Sequence, residues 1–168
     1  NNTASRVMME YWIRELFPEL RRLPFQLEIR LVGRVQNPFL TDAKNIRLQF
    51  LGHKESLEKE FASADVYLSP VKYPVPVPLG TRILTALSYG IPVIAGRSLG
   101  FGLPELMPDR DIVYTSNPVE VRRALENIVT DPQGFQALGK RGRMAWEHYY
   151  RPSPNIGEIL ASIGLEDG

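Results

Sequence analysis

The sequence predicts an α/β fold, a doubly wound, Rossmann-like parallel sheet, and three observations predict it. Short apolar runs suited to strands alternate along the chain with segments of helical periodicity. The stretch Leu68-Ser69-Pro70, a Pro-rich loop, then Gly80 through Ala95 reads as strand, loop, helix, strand, the unit from which such sheets are wound. Two proline-led helices, Pro118 to Thr130 and Pro132 to about Tyr150, close the pattern, each with its proline at a first helical position.

Each element has its own warrant. Thr3 can cap a long amphipathic helix that turns Val7, Met8, Tyr11, Trp12, Leu16 and Leu20 toward a core and is closed by Pro24. In Gln26 to Gly33, Leu27, Ile29 and Leu31 alternate with polar residues, and Ile46 to Phe50 follows as a second strand. Both read as half-exposed. A short helix, about Glu55 to Ser63, leads to Asp65–Ser69, whose run Val66 to Leu68 suits a buried strand. The helix opened by Gly80 and Thr81 carries Ile83, Leu84, Ala86 and Leu87 and ends at Gly90. Pro92 to Ala95 is a second buried strand and Asp111 to Tyr114 the last. Residues 1–150 form one domain on this reading and 151–168 a C-terminal helix or tail. A doubly wound domain ordinarily opens with a strand, whereas this sequence opens on a helix cap. The expectation is a fragment whose first strand lies just before Asn1.

Composition narrows the function classes. The 168 residues are 43% hydrophobic and 23% charged, enough apolar material for a core. A formal charge of +1 demands neither nucleic acid nor an anionic membrane as partner, and no nucleic-acid partner is expected. Zero cysteines exclude disulfides, thiolate metal sites and a cysteine nucleophile, and fit a cytoplasmic location. No apolar run approaches the ~18 residues of a membrane span. Lys140-Arg141-Gly142-Arg143 reads as the exposed face of a late helix, with peripheral membrane contact the minority alternative. His53 and His148 lack metal-ligand spacing.

The candidate site follows from the Gly80 helix. A helix that starts just beyond the carboxyl end of a parallel strand offers free N–H groups and the positive end of its dipole, a seat for phosphate. Arg82 sits in the first turn, where a cation is unfavourable to the dipole unless an anion is nearby. Lys72 and Arg34 read as loop charges, with a ligand role as the alternative.

Taken together, the pieces Leu16-Phe17-Pro18-Glu19-Leu20, Leu31-Val32-Gly33, Ile46 to His53, Ala64 to Pro70, Gly80 to Ala95, Leu99 to Leu106 and Asn117-Pro118-Val119-Glu120 resemble, in order and spacing, the C-terminal half of a GT-B fold glycosyltransferase of the group 1 class. The resemblance runs from about Asn2 to Tyr150. It implies a nucleotide-sugar donor as substrate, no cofactor, a missing N-terminal acceptor-binding domain as partner and, in the whole enzyme, retaining hexosyl transfer for polysaccharide synthesis, with this fragment alone inactive. It further implies diphosphate binding by Gly80, Thr81 and Arg82 or Lys72, close backbone approach at the loop Gly100-Phe101-Gly102, a nucleoside base on Gly52 and His53, and a sugar-side role for Glu105. The family often carries two glutamates eight positions apart, and here Val77 and Thr85 stand at those places. Thr85 can still hydrogen-bond a ribose hydroxyl, while Val77 can accept nothing. The alternatives are therefore a degenerate domain of the same fold acting as scaffold or regulator, a sugar-nucleotide epimerase sharing the phosphate crevice, and a flavodoxin-like binding domain.

Overall fold

A computed structural model describes residues 9–33, 42–70 and 80–151. Helix α1 occupies residues 9–20, and its middle, Trp12–Leu16, is wound as a π-helical turn in which the Phe17 N–H donates to the Trp12 carbonyl. Pro18 gives the physical reason. In a regular helix its ring would strike the carbonyl four residues back, and a wider turn just before it relieves that crowding. The predicted core face survives from Tyr11 onward, with Leu16 and Leu20 fully buried; Thr3, Val7 and Met8 lie outside the described residues. The helix stops at Leu20, before Pro24, because the Asn45 amide donates to the carbonyls of Leu20 (3.2 Å) and Leu23 (2.9 Å) and so satisfies its exit.

Strands β1 (Leu27–Val32) and β2 (Ile46–Gly52) pair in parallel, Leu27 opposite Ile46. Helix α2 (Glu58–Ala62) is shorter than predicted. Strand β3 (Tyr67–Ser69), helix α3 (Thr81–Ser88), strand β4 (Val93–Gly96), a 3₁₀ segment (Arg97–Gly102), strand β5 (Val113–Thr115) and helices α4 (Pro118–Thr130) and α5 (Pro132–Tyr149) complete the chain. The pairing β3-β4-β5 is parallel throughout. The α/β, Rossmann-like fold is therefore as predicted, with two corrections. Among the described residues the strands form two hydrogen-bonded sheets, β1-β2 and β3-β4-β5, rather than one. In the doubly wound order 3-2-1-4-5-6 these occupy the 3-2 and 4-5-6 places, so the unpaired edges of β1 and β3 border the place of the first strand. For the same reason β3, predicted to be buried, is only half-buried, whereas β4, covered on both sides, is buried at all four residues.

One apolar core nevertheless joins the two sheets. Leu16 and Leu20 of α1, Ile29 of β1, Ile46 of β2, Ile94 of β4 and Val121 and Leu125 of α4 pack in a single cluster, with Val66 and Leu68 against it. A second cluster on the other face holds α3 and α5 against the sheet through Ile83, Leu87, Val93, Ile112 and Ala145. The two late helices begin where local chemistry places them. Asn117 accepts from the Glu120 N–H (3.0 Å) while the Glu120 carboxylate reaches back to the Ser116 N–H (2.7 Å), and Asp131 accepts from the Gly134 N–H (2.9 Å).

Candidate functional site

The carboxyl ends of β3 and β4 and the start of α3 build the candidate site. Gly80 is the N-cap of α3, with φ −59° and ψ 50°, and no side chain caps the helix. The first helical bond runs from the Leu84 N–H to the Gly80 carbonyl (3.0 Å), so the N–H groups of Thr81, Arg82 and Ile83 precede the ladder and have no intrahelical acceptor. Thr81 and Arg82 are exposed, and Arg82 pairs with no carboxylate among the described residues. Its guanidinium lies close enough to Tyr67 to favour the phenolate, although burial dominates and holds the Tyr67 pKa above its ordinary value. The helix start and Arg82 thus share the exposed first turn of α3. That arrangement attracts an anion.

The 3₁₀ segment forms the second wall. A Cβ placed on Gly80 would lie 3.2 Å from Ile83 Cδ1 and 3.4 Å from Leu103 Cδ1, so the chain leaving this segment abuts the mouth of α3. Gly100 and Gly102 lie on a 3₁₀ turn just before Leu103, not on the open loop expected. The structure also supplies an internal reason for Gly100: a Cβ there would meet the Tyr114 ring at 3.1 Å. Phe101, between the two glycines, is 88% exposed. Arg97 is tied by its Nε to the Ser116 hydroxyl (3.1 Å), which fastens the turn to the end of β5.

The other predicted residues fall into three groups. Thr85 is exposed on α3, but its hydroxyl donates to the Thr81 carbonyl (3.0 Å), which leaves it only acceptor capacity toward a ligand. Gly52 and His53 stand exposed at the carboxyl end of β2 in the other sheet; Gly52 has φ +66°, a conformation that explains glycine there without a ligand. Val77 and Lys72, and with them Arg34, lie outside the described residues. Among the described residues no group of three or more His, Asp or Glu side chains is arranged to hold a metal.

Three tyrosines near the site were not legible in the sequence, since their partners are distant along the chain. Tyr67 lies within electrostatic reach of Arg82. Tyr114, 8% exposed beneath Gly100, has a hydroxyl without a hydrogen-bond partner among the described residues, and burial raises its pKa to about 12. Tyr150, the residue that ends α5, donates its hydroxyl to the Glu105 carboxylate, and this bond is the largest cause holding the Glu105 pKa below the usual range.

Against this geometry, the family model described as glycosyl transferases group 1 matches residues 4–131. The chain belongs to that family. Among curated relatives, the sulfoquinovosyl transferase SQD2 of Arabidopsis thaliana is 30% identical over 101 residues, which is 56% of this chain and 19% of the relative. Solved structures of Anabaena Alr3699/HepE share the fold: the complex with UDP superposes with a TM-score of 0.66 at 15% identity, covering 89% of this chain and 44% of that one. The complex with UDP-glucose gives 0.67 at 16% identity and the same coverage. This group 1 chain thus spans less than half the length of the proteins it matches. No helix among the described residues is long and apolar enough to cross a membrane.

Proposed function

We propose that the chain is the donor-binding, C-terminal half of a retaining GT-B glycosyltransferase, which moves a sugar from a nucleoside diphosphate sugar to an acceptor held by a second, N-terminal domain. The observation that carries the reading is the uncapped start of α3, with Thr81, Arg82 and Ile83 N–H groups unpaired within the helix, Arg82 in the same exposed turn, and Leu103 against Gly80. A diphosphate seated there would receive N–H donors and a cation at once. The same groups would stabilise charge as the diphosphate departs, so this half contributes electrostatics rather than a nucleophile. The UDP and UDP-glucose complexes of HepE, of the same fold, support a nucleotide-sugar ligand.

The acceptor wall is assigned to the other domain, so the chain alone binds donor without sustained transfer. Calorimetric titration with UDP, GDP and ADP, then with their sugar nucleotides, tests this. Micromolar binding to one diphosphate, weakened at least tenfold in Arg82→Ala, is the expected result; a folded chain that gives no heat with any of them refutes it. One observation favours the second reading, a degenerate scaffold or regulatory domain: Thr85, at a usual glutamate position, spends its only proton on the helix backbone.

A further inference from the structure

We propose that the 3₁₀ segment Arg97–Gly102 is a strap, latched in its described position by the Arg97–Ser116 bond, and that a diphosphate at the start of α3 releases it by offering the Arg97 guanidinium an anionic acceptor. The inference rests on the diphosphate reading above and adds a moving part to it. Arg97 is exposed and follows Gly96, the last residue of β4, so it stands at the carboxyl edge of the sheet, where β3 is the neighbouring strand. The other end of the segment is fixed. Leu103, the residue that caps it, is buried and lies against the open flank of Gly80. At a 3₁₀ rise of about 2 Å per residue, the six-residue segment puts Arg97 roughly 12 Å from Leu103 along the backbone.

The latch is weak and the strap is loosely held. Arg97 Nε donates to the Ser116 hydroxyl (3.1 Å), and its guanidinium pairs with no carboxylate among the described residues. Glu120, the acid on the same turn as Ser116, gives its two oxygens to the Ser116 N–H and the Asn117 amide. A phosphate is a charged acceptor that can take a guanidinium at two points, where the hydroxyl is neutral and takes one, so a diphosphate has the differential affinity that a shift between arrangements requires. Within the strap no residue is buried, whereas all four residues of β4 before it are. Six residues is also long for a 3₁₀ run, whose hydrogen bonds are poorly aligned. Beneath it the Tyr114 ring meets the open flank of Gly100, and the buried Tyr114 hydroxyl has no partner among the described residues. That unpaired hydroxyl disfavours the latched arrangement and favours one in which a carbonyl of the strap turns to accept from it.

The test follows the Gly100 and Gly102 amide resonances and the Arg97 Nε–H resonance by nuclear magnetic resonance, while the chain is titrated with whichever of UDP, GDP or ADP it binds best. In the unmodified chain all three should move with saturation. In Ser116→Ala the glycine resonances should stand part-way toward their bound positions before any ligand is added, and the diphosphate should bind about two- to fivefold tighter, since no latch remains to break. Tyr114→Phe removes the hydroxyl that gains on release, so it should weaken the diphosphate by a similar factor while leaving the chain no less stable. The two variants thus push affinity in opposite directions. A merely structural role for these residues would weaken binding in both. That result, glycine resonances unmoved at saturation, or unchanged affinity in Ser116→Ala overturns the proposal and leaves the diphosphate site standing. A folded, unmodified chain that binds no diphosphate fails the donor-site reading and the release of the strap with it.

Discussion

Gly139 on α5 is the tightest joint between the late helices and the site, and Gly139→Ala tests it. A Cβ at this position would lie 2.2 Å from the Gly90 carbonyl oxygen and 2.9 Å from Pro92 Cδ. Ordinary contact needs roughly 3.5 Å, so α5 must retreat by about 1 Å or the Gly90–Pro92 connection must give way. Neither is cheap, because Gly90 sits at φ +70° at the end of α3 and its N–H is bonded to the Leu87 carbonyl (2.8 Å). Alanine gains about 1 kcal/mol over glycine in a helix interior, and overpacking against rigid backbone costs about 1–3 kcal/mol or more. A retreat would also loosen Gly142, whose open flank meets Leu87 Cδ2 and the Asp111 carbonyl, each 2.7 Å from a Cβ placed there. The net expectation is a loss of about 2 kcal/mol, or roughly 4–8 °C in Tm for a chain of this size. Urea unfolding followed by circular dichroism should show the midpoint lowered with the slope unchanged. A midpoint equal to or above that of the unmodified chain would refute the reasoning, since propensity would then outweigh contact.

Three further outcomes are expected. Gly80→Ala should keep diphosphate affinity within about threefold, because the backbone there has negative φ and Ile83 and Leu103 need yield only tenths of an ångström; Gly80→Val should lose at least tenfold while unfolding cooperatively, and retained binding in the valine variant would move the anion site elsewhere. Tyr114→Phe should be neutral or stabilising by up to about 1 kcal/mol, since it removes a buried hydroxyl with no partner among the described residues; a loss above about 1 kcal/mol in urea titration would mean that the hydroxyl is satisfied. Burial raises the Tyr11 and Tyr114 pKa values to about 12, and for Tyr11 the Glu15 and Glu120 carboxylates add to it. A raised folded pKa gives stability that is whole below the unfolded tyrosine value of about 10 and lost between there and about 12. Phenolate absorbance and unfolding should therefore rise together in that interval, and Tyr11 and Tyr114 themselves both titrating near 10 in the folded chain, as identified with the Tyr→Phe variants, would contradict it.

What could be read from the sequence was what short-range chemistry decides. Helices α4 and α5 begin at Pro118 and Pro132 as predicted, because Asn117 and Asp131 cap them within three residues. The start of α3 at Thr81 was likewise local. The π-helical turn before Pro18 was not foreseen, although the proline itself was the available signal. The half-burial of β3 depends on which strand neighbours it, a fact that its own apolar run does not encode. In the candidate site, the strand-to-helix junction pointed to Gly80 and Arg82, while Tyr114 and the Tyr150–Glu105 bond arise from tertiary packing across 14 and 45 residues and leave no periodic trace. Gly100 was assigned to ligand approach, and its contact with Tyr114 shows that packing alone also accounts for it.

The two-sheet arrangement sets terms for any segment that would bridge it. With β2 on one side of β1 and β4 on one side of β3, the other edge of each strand is, among the described residues, an unpaired row of N–H and C=O groups above a shared apolar core. A bridging segment would have to run parallel to both, in extended conformation, donating to one row and accepting from the other. Proline is thereby unsuited to its interior, and side chains on both its faces would need to be apolar and of modest size. A peptide of that description is a reagent: added in trans, it should slow amide exchange in β1 and β3 together and leave β5 unchanged.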